Sequence, residues 1–529
     1  MMPRSSARYR RPVWVAVAVF ASAAAALVVA LPWLPRAPDL YVHLLWSWEV
    51  MRCLAQGQLP VWLPDLNAGF GSPGIRLYSP LGPVLTGSLG LLLGEAGRGL
   101  RAAALLAAAA VIALPRMPVS GGTGGLRAAT GVVALLSPMV AYALVGRSAW
   151  SEFLAVPILW WIIERLLDGR LRAGREGVAV AVLWLVHVPS ALMAGCLGGA
   201  SLLLHRNRSH AISLVKIAAV GGGLSAWHWL PLLQESATLG GGELLTSGIF
   251  DPGRNVLGSP NAHALDQSIW LGWVAVSLLA AILLTRSWAT HPRRTILAVA
   301  CVAVASPLAA PLWLLETPLQ LLQFPWRWLL PATFLLVPAL IDARARRPIA
   351  LAVLLAPSLT MAWVELVRVP ALHADARWGD TGPALFRALG ANPLLVDAVQ
   401  NRPPSFGALR PNLRLFGDSQ AVVASGVGTV AAIHRWSPLL REVEVVASTP
   451  VTVGFRILDY PFWAVSSDGA PEVATGGVPG VVSCRLPEGR HLVSIRWVGN
   501  PRSAIGQIVA ALTIVLLIVG RRSRGGGAS

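Results

Sequence analysis

For its first 367 residues the chain alternates long apolar runs with short polar connectors rich in arginine, and then the rhythm changes. A helix needs about 20 apolar residues to cross the hydrocarbon core of a bilayer. Runs at or near that length stand at 12–34, 98–115, 126–145, 152–167, 178–187, 189–204, 212–230, 268–284, 296–314, 328–341, 349–365 and 504–520. Several are short, as helices that face buried protein or a wet cavity are allowed to be. From 368 to 502 the pattern turns to period two in "REVEVVAS", "VTVGFRIL", "GVVSCRL" and "RHLVSIRWV", separated by the turns "STP", "SSDG" and "LPEG". Such alternation marks half-buried strands. The expected fold is therefore an all-α polytopic membrane protein of about 12 transmembrane helices. A small extracytoplasmic β-sandwich at about 430–500 is set into it near the C-terminus. The domain boundaries expected are 1–367 for the membrane domain with an extracytoplasmic loop at 35–97, 368–502 for the extracytoplasmic region, and 503–529 for a last span and cytoplasmic tail.

Composition agrees. The chain is 55% hydrophobic and only 13% charged, against about 25% charged in soluble domains. Its formal net charge is +18, and Lys216 is the only lysine. The arginines fall between apolar runs rather than on one face, which points to membrane topology and headgroups and not to nucleic acid. Runs such as Arg8, Arg10 and Arg11, Arg170 and Arg172, Arg344 and Arg346, and Arg521 and Arg522 place both termini in the cytoplasm. The alternation closes only if "PLGPVLTGSLGLLLG", within 80–94, does not cross and is instead an interfacial or re-entrant helix. The basic N-terminus resembles a signal peptide, but its apolar part exceeds the 7–15 residues or so of that class, so a retained first span is expected. The four cysteines have no CxxC spacing and suggest neither a disulfide framework nor a zinc site.

Polar residues gather where apolar runs end on the outer side. "PDLYVHLLWSWEVMRCLAQGQLPVW" opens with Asp39 and carries His43 one helical turn later. It suits an amphipathic helix on the outer surface, with Trp46 and Trp48 at headgroup depth. Asp39 either caps that helix, as Asp often does, or supplies a reactive carboxylate. The stretch continues into a loop dense in glycine, proline and aromatics, with Trp62, Asn67, Gly69, Gly71 and Tyr78. It is far longer than the usual 4–6 or so residues of a connector. A loop of that kind is costly to order unless something binds there.

These residues resemble the first extracytoplasmic loop of a bacterial multi-spanning family named 6-pyruvoyl-tetrahydropterin synthase-related. That family is similar in turn to the GT-C fold glycosyltransferases that use polyprenyl-phosphate-linked sugars. The likeness is carried by Asp39, His43, Gly57, Pro60, Trp62, Asn67, the stretch "GFGSP", and "YSPL" from Tyr78. It continues in "GRSAWSEFLAVP" with Arg147, Glu152 and Pro157, in "LWLVHVPSALMAG" with His187, and in "LQLLQFPWRWLLP" with Gln323, Trp326 and Arg327. "LDYPFWAVSSDG" is similar to the β-domain of related proteins, with Phe462 where their pattern has glycine. No pterin-synthase zinc–histidine pattern accompanies the name.

The resemblance implies a transferase on the extracytoplasmic face of the bacterial inner membrane. Its substrate is a polyprenyl-phosphate-linked sugar, and its acceptor is an unidentified glycan, lipid or protein. Asp39 takes the role of general base and Glu152 that of a second acid, orienting the acceptor or holding a metal. Arg327, with Arg147 and His43 in support, meets the donor phosphate. Trp62, Asn67, Gly69, Gly71, Tyr78, His187, Gln323 and Trp326 shape the cavity or loop. Plainer roles compete: a headgroup anchor for Arg327, a helix cap for Glu152, a satisfied buried imidazole for His187, a cavity wall for Glu235. A divalent cation stays open, although the scarcity of acids near Asp39 favours metal-independent chemistry. Two other functions also stay open, a transporter or flippase of a lipid-linked saccharide and a non-catalytic envelope-assembly protein. Ionisable residues at span ends rather than mid-membrane favour the transferase over the transporter.

Overall fold

Apolar positions that repeat around the whole helix, rather than along one stripe, need burial on every side. Leu329–Asp342 is the clearest case: every residue from Leu329 to Ile341 is buried. The computed structural model describes residues 39–67, 69–113, 124–235, 251–259, 265–315, 317–342, 347–368, 409–472 and 477–525. The expected first span at 12–34 lies outside these residues. Numbering the helices of eight or more residues gives α1 (Leu40–Ala55), α2 (Leu81–Leu93), α3 (Ala96–Ala113), α4 (Gly124–Leu135), α5 (Trp150–Asp168), α6 (Ala173–Val186) and α7 (Val188–His205). They continue as α8 (Arg208–Glu235), α9 (Leu265–Thr285), α10 (Pro292–Ala305), α11 (Leu329–Asp342), α12 (Arg347–Arg368), α13 (Leu409–Phe416) and α14 (Pro501–Gly525).

The protein is mostly helical. Among the described residues four helices are long and apolar enough to cross a membrane, in α3, α7, α9 and α14. The number rises to six if each of two bent pairs is one span: α4 with Pro138–Gly146, bent by 56°, and α10 with Pro307–Leu314, bent by 75°. The sequence expectation of about 12 is larger because it counts α5, which carries Glu152, Glu164, Arg165 and Asp168, and short interior helices such as α11. α14 makes the strongest case for lipid. Only 6% of its apolar window is buried, and Leu516 is 72% exposed. One side of it lies close against α8. A Cβ on Gly506 would stand 2.5 Å from the Ala226 carbonyl oxygen, and one on Gly223 would stand 2.4 Å from Thr513 Oγ1. Small residues that let backbones approach, with large apolar ones turned outward, are the membrane form of helix packing.

α2 occupies the stretch expected to be interfacial or re-entrant. It lies between α1 and α3, and the hydroxyls of Ser47 and Thr86 meet at 2.6 Å across the first contact. α1 itself departs from expectation. It is not laid on the surface: Leu40, Leu44, Leu45, Ser47, Glu49 and Val50 are buried, and Trp46 packs among Leu63, Leu66 and Ile75 instead of reaching the headgroups.

After α13 the chain forms two antiparallel sheets. One has the order β1 (Ala421–Ser425), β4 (Val451–Leu458), β7 (Val481–Leu486). The other runs β2 (Gly428–Trp436), β3 (Leu440–Ala447), β8 (Gly489–Trp497), β5 (Trp463–Ser467), β6 (Ala470–Glu472). Alternate residues of both enter one hydrophobic cluster, with Val443, Val445, Val493 and Ile495 from one sheet and Val453, Phe455 and Cys484 from the other. The strands begin at Ala421, somewhat before the expected 430.

The same cluster takes in Trp62 and Phe70 from the long loop after α1. Trp62 is fully buried beside Tyr460, Trp463 and Trp497, with ring centroids 6.1, 5.1 and 5.4 Å away. The Leu458 amide donates to the Phe70 carbonyl at 2.6 Å. Asn67, at φ +56, donates its amide to the Gly71 carbonyl at 2.8 Å and closes the turn. Gly71 has no substitute here: its φ is +78, and a Cβ would stand 2.2 Å from the Trp62 indole nitrogen. A buried polar node completes the union. Glu235, at the end of α8, accepts from Arg76 at 2.7 Å, from the Tyr460 hydroxyl at 2.7 Å and from the Asn500 amide at 3.0 Å. Residues before, inside and after the β-region thus converge on one carboxylate.

Trp62→Ala is expected to lower stability by about 3–5 kcal/mol, the range for deleting a large buried aromatic, and to open the loop to protease. Gly57, also at positive φ but facing open space, should tolerate Ala at about 1 kcal/mol. Thermal unfolding and limited proteolysis of the purified full-length protein read both.

Candidate functional site

Arg147 ends a π-turn, Tyr142–Gly146, and its amide donates to the Tyr142 carbonyl at 2.9 Å. Ser148 follows at φ +54, and α5 starts two residues later. Such turns and left-handed non-glycine residues cost energy and concentrate at functional sites. The result aims the Arg147 side chain back at two acids. Its guanidinium donates to Asp39 Oδ2 at 2.6 Å and to Glu152 Oε2 at 3.2 Å. The backbone repeats the link, since the Asp39 amide donates to the Arg147 carbonyl at 3.0 Å. Arg327, from the 3-10 turn Pro325–Trp328 before α11, brings its Nε to 3.4 Å from the same Glu152 oxygen. Its Nη1 donates to the Leu322 carbonyl at 2.6 Å. Gln323, two residues before this turn, sits at φ +58 and ψ −40, so the backbone is strained on this side as well.

The four charges sum to zero and are nearly enclosed. Side-chain exposure is 2% for Glu152, 4% for Arg327 and 12% for Arg147, but 31% for Asp39. The network therefore opens at Asp39. Neither acid caps its helix in the way its position suggested: the Asp39 and Ala149 cap positions accept no side-chain cap bond, and both carboxylates turn to arginine. Arg327 is buried and is not a headgroup anchor.

Aromatic rings close the site. The Phe324 ring lies 5.1 Å from the Arg147 guanidinium and 4.7 Å from that of Arg327, and Trp326 lies 5.1 Å from Arg147. Guanidinium stacking of this kind is worth more when desolvated. Tyr142 is a site residue that sequence reading passed over, and Phe324 is one to which it gave no role. Phe324 stood in the quoted "QFPWR" stretch, whereas nothing in the sequence marked Tyr142, whose ring meets Trp326 edge-on at 5.6 Å.

His43 is buried one turn along α1 from Asp39, and burial with the Arg147 charge nearby holds its imidazole down to about 4, against the pull of Asp39. The Tyr78 ring lies 6.2 Å from His187, and both residues are within electrostatic reach of Arg147 and Arg327. His187 is satisfied by the Ser190 hydroxyl at 2.8 Å, at the junction of α6 and α7. Asp39, His43, Tyr78, Arg147, Glu152, His187, Gln323, Trp326 and Arg327 thus come together. Trp62, Asn67, Gly69 and Gly71 do not. They are committed to the β-region, so the glycine-rich loop is ordered by its own chain. Glu235, expected as a cavity wall, belongs to the polar node between the helices and the β-region.

No three histidine, cysteine, aspartate or glutamate side chains gather as metal ligands among the described residues. A divalent ion between Asp39 and Glu152 would face the guanidinium that bridges them, so this arrangement does not suit one. The chain matches no protein-family model, no curated protein and no solved structure.

A pH prediction follows from His43. In the unfolded chain the imidazole takes its proton as pH falls through about 6.5; in the folded protein it waits until about 4. The lowered value makes stability full above 6.5 and lost between 6.5 and 4, by up to about 3 kcal/mol. His43→Gln should flatten that part of a melting-temperature-against-pH curve, and an unaltered curve would contradict the assignment.

Proposed function

We propose that the protein is a membrane glycosyltransferase of GT-C type, acting on a polyprenyl-phosphate-linked sugar at the extracytoplasmic face of the bacterial inner membrane. In this reading the chain has about 12 spans with both termini in the cytoplasm, and the β-region is an extracytoplasmic sandwich. The observation that carries the reading is the meeting of Asp39, Arg147, Glu152 and Arg327, which stand in three separated parts of the sequence. It sits at the Glu152 end of α5, away from the end where Glu164 is paired with Arg294.

The chemistry needs a base for the acceptor hydroxyl and cations for the departing phosphate. Asp39 is the exposed acid, and its Oδ1 has no hydrogen-bond partner among the described residues. It takes the acceptor proton as the acceptor oxygen bonds to the anomeric carbon. The bond from that carbon to the phosphate oxygen breaks, and the electron pair leaves with polyprenyl phosphate. Arg327 and Arg147 hold the phosphate oxygens. Glu152, shared by both guanidiniums, is a positioning residue that keeps them side by side. Phe324 and Trp326 exclude water from the phosphate side.

Asp39→Asn should lower transfer by about 10²–10⁴-fold, the usual span for a general base. Arg327→Lys should lower it less, because an ammonium keeps the charge but not the fork. The measurement is release of polyprenyl phosphate and loss of the labelled lipid-linked sugar in proteoliposomes that hold the full-length protein. Transfer that persists in Asp39→Asn at wild-type rate sinks the reading. Sugar lipid moved across the bilayer intact would replace it with a flippase.

A further inference from the structure

The end of α1 opposite to Asp39 borders a cavity. Its last turn, the following loop and the start of the β-region enclose about 320 Å³, at the lower end of the range for small-molecule sites. Thirteen helical steps lead from Asp39 to Arg52, which is about 20 Å along the axis. The two sites are therefore distinct.

The wall is charged but balanced. Arg52 is paired with Asp65. Arg456 donates to the Gly417 carbonyl at 2.8 Å and lies in the field of Asp418. Two guanidiniums matched by two carboxylates leave no surplus cation among the lining residues, and the neighbouring Arg441 guanidinium is buried against the rings of Trp436 and Trp463. The matched pairs leave planar groups instead, joined by the amides of Gln56 and Gln420. Such groups bridge neighbouring hydroxyls with paired hydrogen bonds, donating to one and accepting from another. Trp436 adds an apolar face, and its ring is fixed by the Arg441 guanidinium 5.3 Å away.

The walls are also preformed. Gly69 sits at φ +88, and a Cβ there would be 3.1 Å from Arg456 Nε, so the loop backbone lies directly on that side chain. The bond from the Leu458 amide to the Phe70 carbonyl pins loop to strand beside it. A ligand meets a site whose ordering cost is already met by folding.

We propose that this cavity binds a neutral saccharide of one or two rings. Vicinal ring hydroxyls meet the carboxylate, guanidinium and amide groups, and the C–H face of the ring lies on Trp436. The proposal does not rest on the transferase reading, since no residue of the Asp39 network enters it.

The test uses the full-length protein in nanodiscs and ligand-observed saturation-transfer NMR. The probes are neutral methyl hexosides, methyl N-acetylhexosaminides and their disaccharides, with inorganic phosphate as the anionic probe. At least one saccharide should bind. Asp418→Ala and Gln420→Ala, which remove side chains from the surface of the β-region, should each weaken it by about tenfold or more while the melting temperature holds; tenfold corresponds to the loss of about one good hydrogen bond. Trp436→Ala should abolish it, and Asp39→Asn should leave it unchanged. No binding by any saccharide of the panel overturns the proposal. Binding that survives both Asp418→Ala and Gln420→Ala overturns it too, as does phosphate competing for the same residues.

Discussion

Burying an ion costs several kcal/mol even after the protein relaxes, and the cost returns only while every partner stays in place. Arg147 lives under that constraint. Its guanidinium spans Asp39 at the start of α1 and Glu152 in the first turn of α5, and Arg327 joins from the turn before α11. Three elements far apart along the chain are held to one geometry because none can retreat without stranding a charge. The strained residues around them, Ser148 and Gln323, fit this logic. Apolar residues of similar volume would commonly hold helices together as well or better. Stability alone is therefore a poor account of four enclosed charges, and the opening at Asp39 argues for use.

A second constraint ties the β-region to that network. The loop from Arg76 to Tyr78 touches both. Arg76 bonds Glu235, which also holds Tyr460 and Asn500, while Tyr78 stands against His187 and in the field of Arg147 and Arg327. Only one residue, Leu77, separates the two contacts. A displacement of the β-region that pulled on Glu235 would be felt at Tyr78 without passing through any other helix.

Much of this was readable from the residues and some was not. A carboxylate or guanidinium at the end of an apolar run is conspicuous, so Asp39, Arg147, Glu152 and Arg327 stood out singly; the direction of each side chain did not. Period two announced β3 and β8 well because their sheet buries one face, whereas β4 of the smaller sheet is buried on both. The loop is shaped by residues the sequence marks, Asn67 and Gly71 among them, but what it packs against was not legible. Its glycines and aromatics were read as a demand for ligand, yet Trp62 and Phe70 satisfy that demand in a core built from residues about 400 positions later. Glu235 was nearly passed over because its partners lie 159, 225 and 265 positions away. α1 shows the same limit at short range. Periodicity says which positions avoid water, not whether lipid or protein replaces it, and Trp46 chose protein.

The two acids of the network are not equivalent, and the difference decides how the proposed reaction would run. Glu152 gives one oxygen to both guanidiniums and is almost fully enclosed, so nothing outside can reach it without dismantling the site. Asp39 holds Arg147 through Oδ2 alone. A phosphate arriving at the open side offers Arg147 a third anion, which competes with Asp39 for the guanidinium, since Glu152 has no room to move. Donor binding and release of the base then become one event. A hydroxyl that arrived without a donor would find Asp39 still held by Arg147, which is a physical reason for water to be a poor acceptor in the idle protein.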